Sequence, residues 1–190
     1  MTSATWIRIA EQLQAIAPPI AATFNPPATP DQIRRLEAKV GVPLPSAFTD
    51  YLATMNGQSQ AGWEAPLCDW RHLNPVDAII AHMEMLESLF DADEMAAGVE
   101  DKVKMRIWDR HWVPFASFQD DYDALILDLD PGRNGCSGQV WGLHAGMDPA
   151  DPALIIADSF DRFSRMLLTD LEQGRFRLVN GVIYFDSWLG

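Results

Sequence analysis

Two periods of hydrophobic positions run along this chain, one of about 3.6 residues that marks helices and one of two that marks strands. Ile9, Leu13 and Ile16 fall at helical spacing with Trp6 and Ala17 beside them, predicting a helix over residues 5 to 17 that Pro18 and Pro19 end. Asn25-Pro26-Pro27-Ala28-Thr29-Pro30 reads as a stiff linker. Thr29 then offers an N-cap, Pro30 suits the first helical position, and Gln32 completes a capping box three residues on. Ile33, Leu36 and Val40 line one face of that helix, and Gly41 supplies a left-handed stop. Val42-Pro43-Leu44-Pro45 forces a corner, after which Phe48, Tyr51, Leu52 and Met55 describe a further helix ending at Asn56-Gly57.

Beyond Gly57 a loop leads to a short strand expected within residues 63 to 70. Asn74 is positioned to cap the next helix, with Pro75 and Asp77 in its first turn and Val76, Ile79, Ile80, Met83, Leu86 and Phe90 on its apolar face. Residues 103 to 115 read as extended, with Pro114 confining that strand to an edge or placing itself at the strand's end. Residues 122 to 129 and 139 to 143 predict two strands across a Gly-rich turn, and residues 153 to 157 a short central one. Asp158 is the expected cap of a last helix carrying Phe160, Phe163, Leu167 and Leu171 and stopped by Gly174. Asn180-Gly181 between two apolar runs signals a closing hairpin. The fold class is α+β, a mostly antiparallel sheet with helices packed against it. Residues 1–28 form an N-terminal helix and Pro-rich linker, packing on the core or on another subunit, and residues 29–190 form the domain proper.

Composition supports a packed domain: 48% of the 190 residues are hydrophobic, including seven Trp and nine Phe. No apolar run approaches the roughly 20 residues of a membrane span, and the charge-interrupted start carries no secretory pattern. Cys68 and Cys136 do not make a disulfide framework, so reduced thiols in the cytoplasm are expected. Charge changes the picture most. Fourteen Lys and Arg stand against 27 Asp and Glu, a net −13. Such a surface repels nucleic-acid phosphates and attracts a basic protein, although acidity for solubility alone is the competing reading. Glu84, Glu87, Asp91, Asp93 and Glu94 gather toward and beyond the C-terminal end of one helix, where the helix dipole favours cations. That placement points to a use for the charge, with simple tolerance the alternative. Asp120, Asp121 and Asp123 form a second acidic group.

Familiar catalytic patterns fail on inspection. A calcium loop begun at Asp128 puts Arg133 where glycine is needed and Gln139 where a bidentate acid is needed. Asp128 and Asp130 could pair on magnesium, but Asp beside Pro-Gly is ordinary turn chemistry. Gly135-Cys136-Ser137-Gly138-Gln139 lacks the last glycine of a nucleophile elbow, and Cys136 or Ser137 with His144 lacks a third member. His72, His82, His111 and His144 show no ligand spacing. No catalytic residue, metal or cofactor is therefore expected. Trp63, Trp70, Trp108, Trp112 and Trp141 are assigned to the core or its rim, where aromatics also serve as interface anchors, and Trp188 needs something to cover it.

The run from Thr29 to Gly57 resembles the opening of the SMI1/KNR4 (SUKH) superfamily. Trp112-Val113-Pro114-Phe115, Leu127 to Gly132, Gly138-Gln139-Val140 and Asp158-Ser159-Phe160 resemble the rest of its pattern in order, over roughly residues 29 to 173. The resemblance implies a single α+β domain that binds proteins, in bacteria often an immunity protein against a polymorphic toxin and in fungi a cell-wall signalling regulator. The expectation is then a non-enzymatic immunity protein that occludes a basic toxin domain, possibly a nuclease, through Glu84, Glu87, Asp91, Asp93, Glu94, Asp120, Asp121 and Asp123. A regulatory scaffold without a toxin is the alternative, and a hydrolase the remote one.

Overall fold

A computed structural model describes residues 2–90, 101–118, 123–144 and 155–186. The first helix, α1 (Thr2–Ile16), is followed by the single turn α2 (Pro18–Ala21) and by α3 (Pro30–Val40), where the capping box forms as expected. Thr29 Oγ1 accepts the Gln32 N–H at 3.2 Å and Gln32 Oε1 accepts the Thr29 N–H at 2.9 Å. Gly41 closes the helix in the left-handed region at φ 83°. The proline corner leads into α4 (Ser46–Leu52), shorter than its hydrophobic pattern, and a turn then carries Met55 into the core.

The helix α5 (Val76–Leu89) starts differently from expectation. Its first N–H, on Val76, is accepted by Asn56 Oδ1 at 2.8 Å, so the cap arrives from the end of the preceding helical unit. Asn74 is committed elsewhere. Its backbone N–H bonds Phe115 and its side-chain amide donates to the Pro114 carbonyl at 2.8 Å and to Ser117 Oγ at 3.0 Å. Gly57, at φ 63°, brings Asn56 into place, and a Cβ there would lie 2.6 Å from the backbone of Asn74.

One antiparallel sheet has the order β1-β2-β3-β4-β5, with β1 (His72–Leu73), β2 (Trp112–Ser117), β3 (Ala124–Asp128), β4 (Gln139–Leu143) and β5 (Ile155–Ala157). Residues 103 to 111 are irregular, so the extended stretch begins only at Trp112. Pro114 sits inside the sheet rather than on its outermost strand. It is tolerated because β1 pairs only with Ala116 and Ser117, and because the β2–β3 register shifts between Pro114 and Ala116. Among the described residues β5 is an edge strand paired with β4, not the central strand its apolar run suggested. Ile155 and Ile156 are only partly buried.

Residues 63 to 70 do not form a strand either. Gln60–Trp63 is a 3-10 turn and Cys68 meets Arg71 in a single bridge. The buried side chain of Gln58 takes the place of a ladder: it donates to Thr23 Oγ1 at 2.7 Å and the Ala65 carbonyl at 2.9 Å, and accepts the N–H groups of Leu67 and Leu73 at 3.3 and 3.0 Å. The last helix, α6 (Phe160–Gln173), is capped by Ser159 rather than Asp158, its Oγ accepting the Arg162 N–H at 3.2 Å. Gly174 ends it at φ 66°. Strands β6 (Phe176–Val179) and β7 (Val182–Phe185) make the expected hairpin, with Asn180 and Gly181 both at positive φ. The hairpin is a separate two-stranded sheet.

Helices α1 and α6 pack together, with α4 against both. Trp6, Ile9 and Leu13 of α1 are fully buried in the same core as Phe48, Tyr51, Phe115, Phe160 and Phe163. The Trp6 indole N–H reaches Ser164 Oγ at 3.0 Å, and its ring lies 4.5 Å from that of Tyr51. Among the described residues no helix is long and apolar enough to cross a membrane. Asn56→Ala should strip α5 of its cap and lower stability by about 1 kcal/mol, measured as a shift in the urea midpoint, whereas Asp158→Ala should cost far less.

Candidate functional site

The segments that frame β1 carry exposed aromatic rings, two of them fixed in place by their indole N–H groups. Trp63 is 42% exposed and its indole N–H donates to His72 Nε2 at 2.8 Å, which requires the neutral imidazole with its proton on Nδ1. Trp70, also 42% exposed, donates to Asp123 Oδ2 at 2.8 Å. Arg71 Nε bonds Asp123 Oδ1 at 2.5 Å, and its guanidinium carbon lies 4.5 Å from the Trp70 ring centre. Phe118, 38% exposed, joins the group through a backbone bond from its N–H to the Asp123 carbonyl at 3.1 Å. Beside Trp63 opens a cleft of about 720 Å³, lined by Asn25, Gln58, His72, Pro75 and Met85 among others. Rings that are exposed yet held by hydrogen bonds lose little further entropy on contact with a partner, which suits them as interface anchors.

Of the acidic positions predicted from sequence, Asp123 belongs to this face, with both carboxylate oxygens engaged. Glu84 is exposed on α5. Glu87, near the end of that helix, bonds Lys39 of α3 at 2.6 Å. Thus Glu87 and Asp123 belong to separate side-chain clusters. Asp91, Asp93, Glu94, Asp120 and Asp121, like Trp188, lie outside the described residues. Sequence reasoning places Trp63 and Trp70 in the core or at its rim and does not single out Phe118; the structure leaves all three exposed. The available signal was their position in the turn-rich stretch before β1 and beside the second acidic group, where neither period of hydrophobicity holds.

A second cleft, of about 590 Å³, lies where α3, the end of α5 and the loop before β2 meet, with Lys39, Glu87, Trp108, Arg110 and His111 in its walls. Asp109, His111 and Asp130 converge there. His111 Nδ1 is 2.8 Å from Asp109 Oδ1 and 3.7 Å from Asp130 Oδ2. Arg106 Nε approaches Asp109 Oδ2 at 3.4 Å, and Lys104 pairs with Asp130.

Asp128 does not join Asp130 as a ligand pair. Its side chain is fully buried, Oδ2 accepting Gln139 Nε2 at 2.9 Å and Oδ1 accepting the Asp130 N–H at 3.1 Å. Burial pushes its carboxyl up to about 7. Cys136 and His144 are likewise kept apart: the first is exposed in the turn before β4 and the second exposed beyond its far end, roughly 17 Å of strand between them. Ser137 Oγ donates to the Leu129 carbonyl at 3.2 Å.

The raised Asp128 carboxyl makes stability depend on pH. Its contribution is fully present below the unfolded value of 3.8 and is lost as pH climbs through about 7. The shift corresponds to an upper figure of roughly 4 kcal/mol. Asp128→Asn should flatten the decline of the urea midpoint across that window; Asp69, which burial also raises, stays in both proteins, so the difference isolates Asp128.

Residues 27–166 match the family model described as SMI1 / KNR4 family (SUKH-1). The match leaves α1 and α2 outside and ends within α6. No curated protein gives a significant match.

Proposed function

The chain belongs to the SMI1/KNR4 (SUKH-1) family, and on that premise we propose that it is a non-enzymatic immunity protein that neutralises a basic toxin domain by covering it. One observation carries the reading beyond the family: Trp70 and Phe118 are exposed beside Asp123, and Trp63 is exposed beside His72, with both indoles tethered, on a chain of net charge −13. Long-range attraction by the acidic surface speeds encounter with a cationic partner, and the aromatic anchors slow its release. Glu84, Glu87, Asp91, Asp93 and Glu94 act as one steering group, and Asp123 with its sequence neighbours Asp120 and Asp121 as the other. The separation of Cys136 from His144 supports a role in binding rather than hydrolysis.

The test begins with co-purification of the partner from the native organism at moderate salt, then binding kinetics with variants. Trp63→Ala should raise the dissociation rate about thirtyfold, the scale of an interface hot spot of ~2 kcal/mol. Reversing Glu84, Glu87 and Asp91 to Lys should slow association and flatten its salt dependence while leaving dissociation nearly unchanged. Unaltered dissociation in the first variant removes the aromatic face from the interface, and unaltered association in the second removes the steering group.

A further inference from the structure

We propose that Asp109, His111 and Asp130 form a binding site for a divalent transition-metal ion, opening into the cleft between α3, the end of α5 and the loop before β2. Each residue offers one ligand atom, and the three atoms lie within 4.8 Å of one another. Ligand bonds of about 2.1 Å in a tetrahedral site place neighbouring donors roughly 3.4 Å apart. The 3.7 Å from His111 Nδ1 to Asp130 Oδ2 is close to that spacing, and the 2.8 Å to Asp109 Oδ1 is a hydrogen bond that opens as the ion takes the place of its proton, which leaves to solvent or moves to Nε2. One imidazole and two carboxylates suit zinc and its neighbours better than calcium or magnesium, which take oxygen ligands alone.

The surroundings favour an ion in three ways. Asp109 has only 4% of its side chain exposed; its Oδ1 accepts the His111 backbone N–H at 2.9 Å, and Arg106 approaches its Oδ2 at the long distance of 3.4 Å. Arg106 and the Lys104 that pairs with Asp130 are partly exposed. Both carboxylates are thereby held in place in advance, while an arriving ion can displace the Lys104 ammonium into solvent and take over its charge. Behind the ligands, the Asp130 N–H is held by Asp128 Oδ1, and Asp128 by Gln139 Nε2, an outer layer that fixes the turn carrying Asp130. Finally, Trp108 lines the same cleft at 2% exposure, and its indole N–H has no acceptor among the described residues. Water on the ion's open position would provide one. Competition from Lys104 and Arg106 weakens binding relative to a site without them.

The proposal stands independently of the toxin reading and is tested without a partner. Full-length protein freed of metal with a chelator is titrated with Zn²⁺ by calorimetry and with Co²⁺ by visible absorption. One equivalent should bind, with a ligand-field spectrum of nitrogen and oxygen donors and no sulfur-to-cobalt band. His111→Ala and Asp130→Asn should each weaken binding at least tenfold while leaving the melting temperature in chelator close to the parent value. Cys136→Ser and His144→Ala should bind as the parent does. Absence of stoichiometric binding by the parent protein, undiminished binding in both ligand variants, or loss of binding with Cys136→Ser would each overturn the assignment.

Discussion

The amide of Gln58, buried behind the segments that carry the exposed aromatics, satisfies four groups at once: the Thr23 hydroxyl, the Ala65 carbonyl, and the N–H groups of Leu67 and Leu73. Residues 60 to 71 have almost no ladder of their own, and a buried backbone group left without a partner costs roughly 1–3 kcal/mol. One side chain therefore does for this segment what a strand would do elsewhere. It leaves the turn free to present Trp63 outward while anchoring β1, which in turn places His72 under the Trp63 indole.

Behind that face the aromatic core joins parts of the chain that are far apart in sequence. Phe160 of α6 touches Phe48, Tyr51, Phe115 and Trp6. The last of these comes from α1, outside the span matched to the family, yet its indole N–H is satisfied by Ser164 on α6. Burial of a ring this large together with its polar atom makes α1 energetically part of the core, whatever its sequence relationship to the rest.

The acidic surplus and the local ion pairs work at different ranges. Glu87 and Asp123 are neutralised at close quarters by Lys39 and Arg71. Short-range contacts by such residues add little to affinity, because the partner would have to break an existing pair. The net charge acts at distances of up to a Debye length, about 8–10 Å, and there the pairing matters less than the total. In the proposed complex, electrostatics thus governs approach, and close contact is assigned to the tethered aromatics. In the second cleft the same economy of charge holds Asp109 and Asp130 in a geometry that an ion can use.

Sequence alone determined the features whose physics closes within a few residues. The Thr29–Gln32 capping box, the left-handed stops at Gly41 and Gly174, the Asn180-Gly181 hairpin and the α+β class all follow from local hydrogen bonds, φ preferences and hydrophobic period. The family resemblance rode on the same local grammar. Tertiary structure alone decided which polar side chains meet. Asn56 rather than Asn74 caps α5, because Asn74 is drawn to β2. Gln58 replaces a strand between residues 63 and 70. β5 lies at the edge of the sheet, and Trp63 and Trp70 face outward. Asp130 sits with Asp109 and His111 while Asp128, two residues earlier, turns inward. Each of these depends on contacts between residues brought together only by the folded chain, and no local period or spacing encodes them.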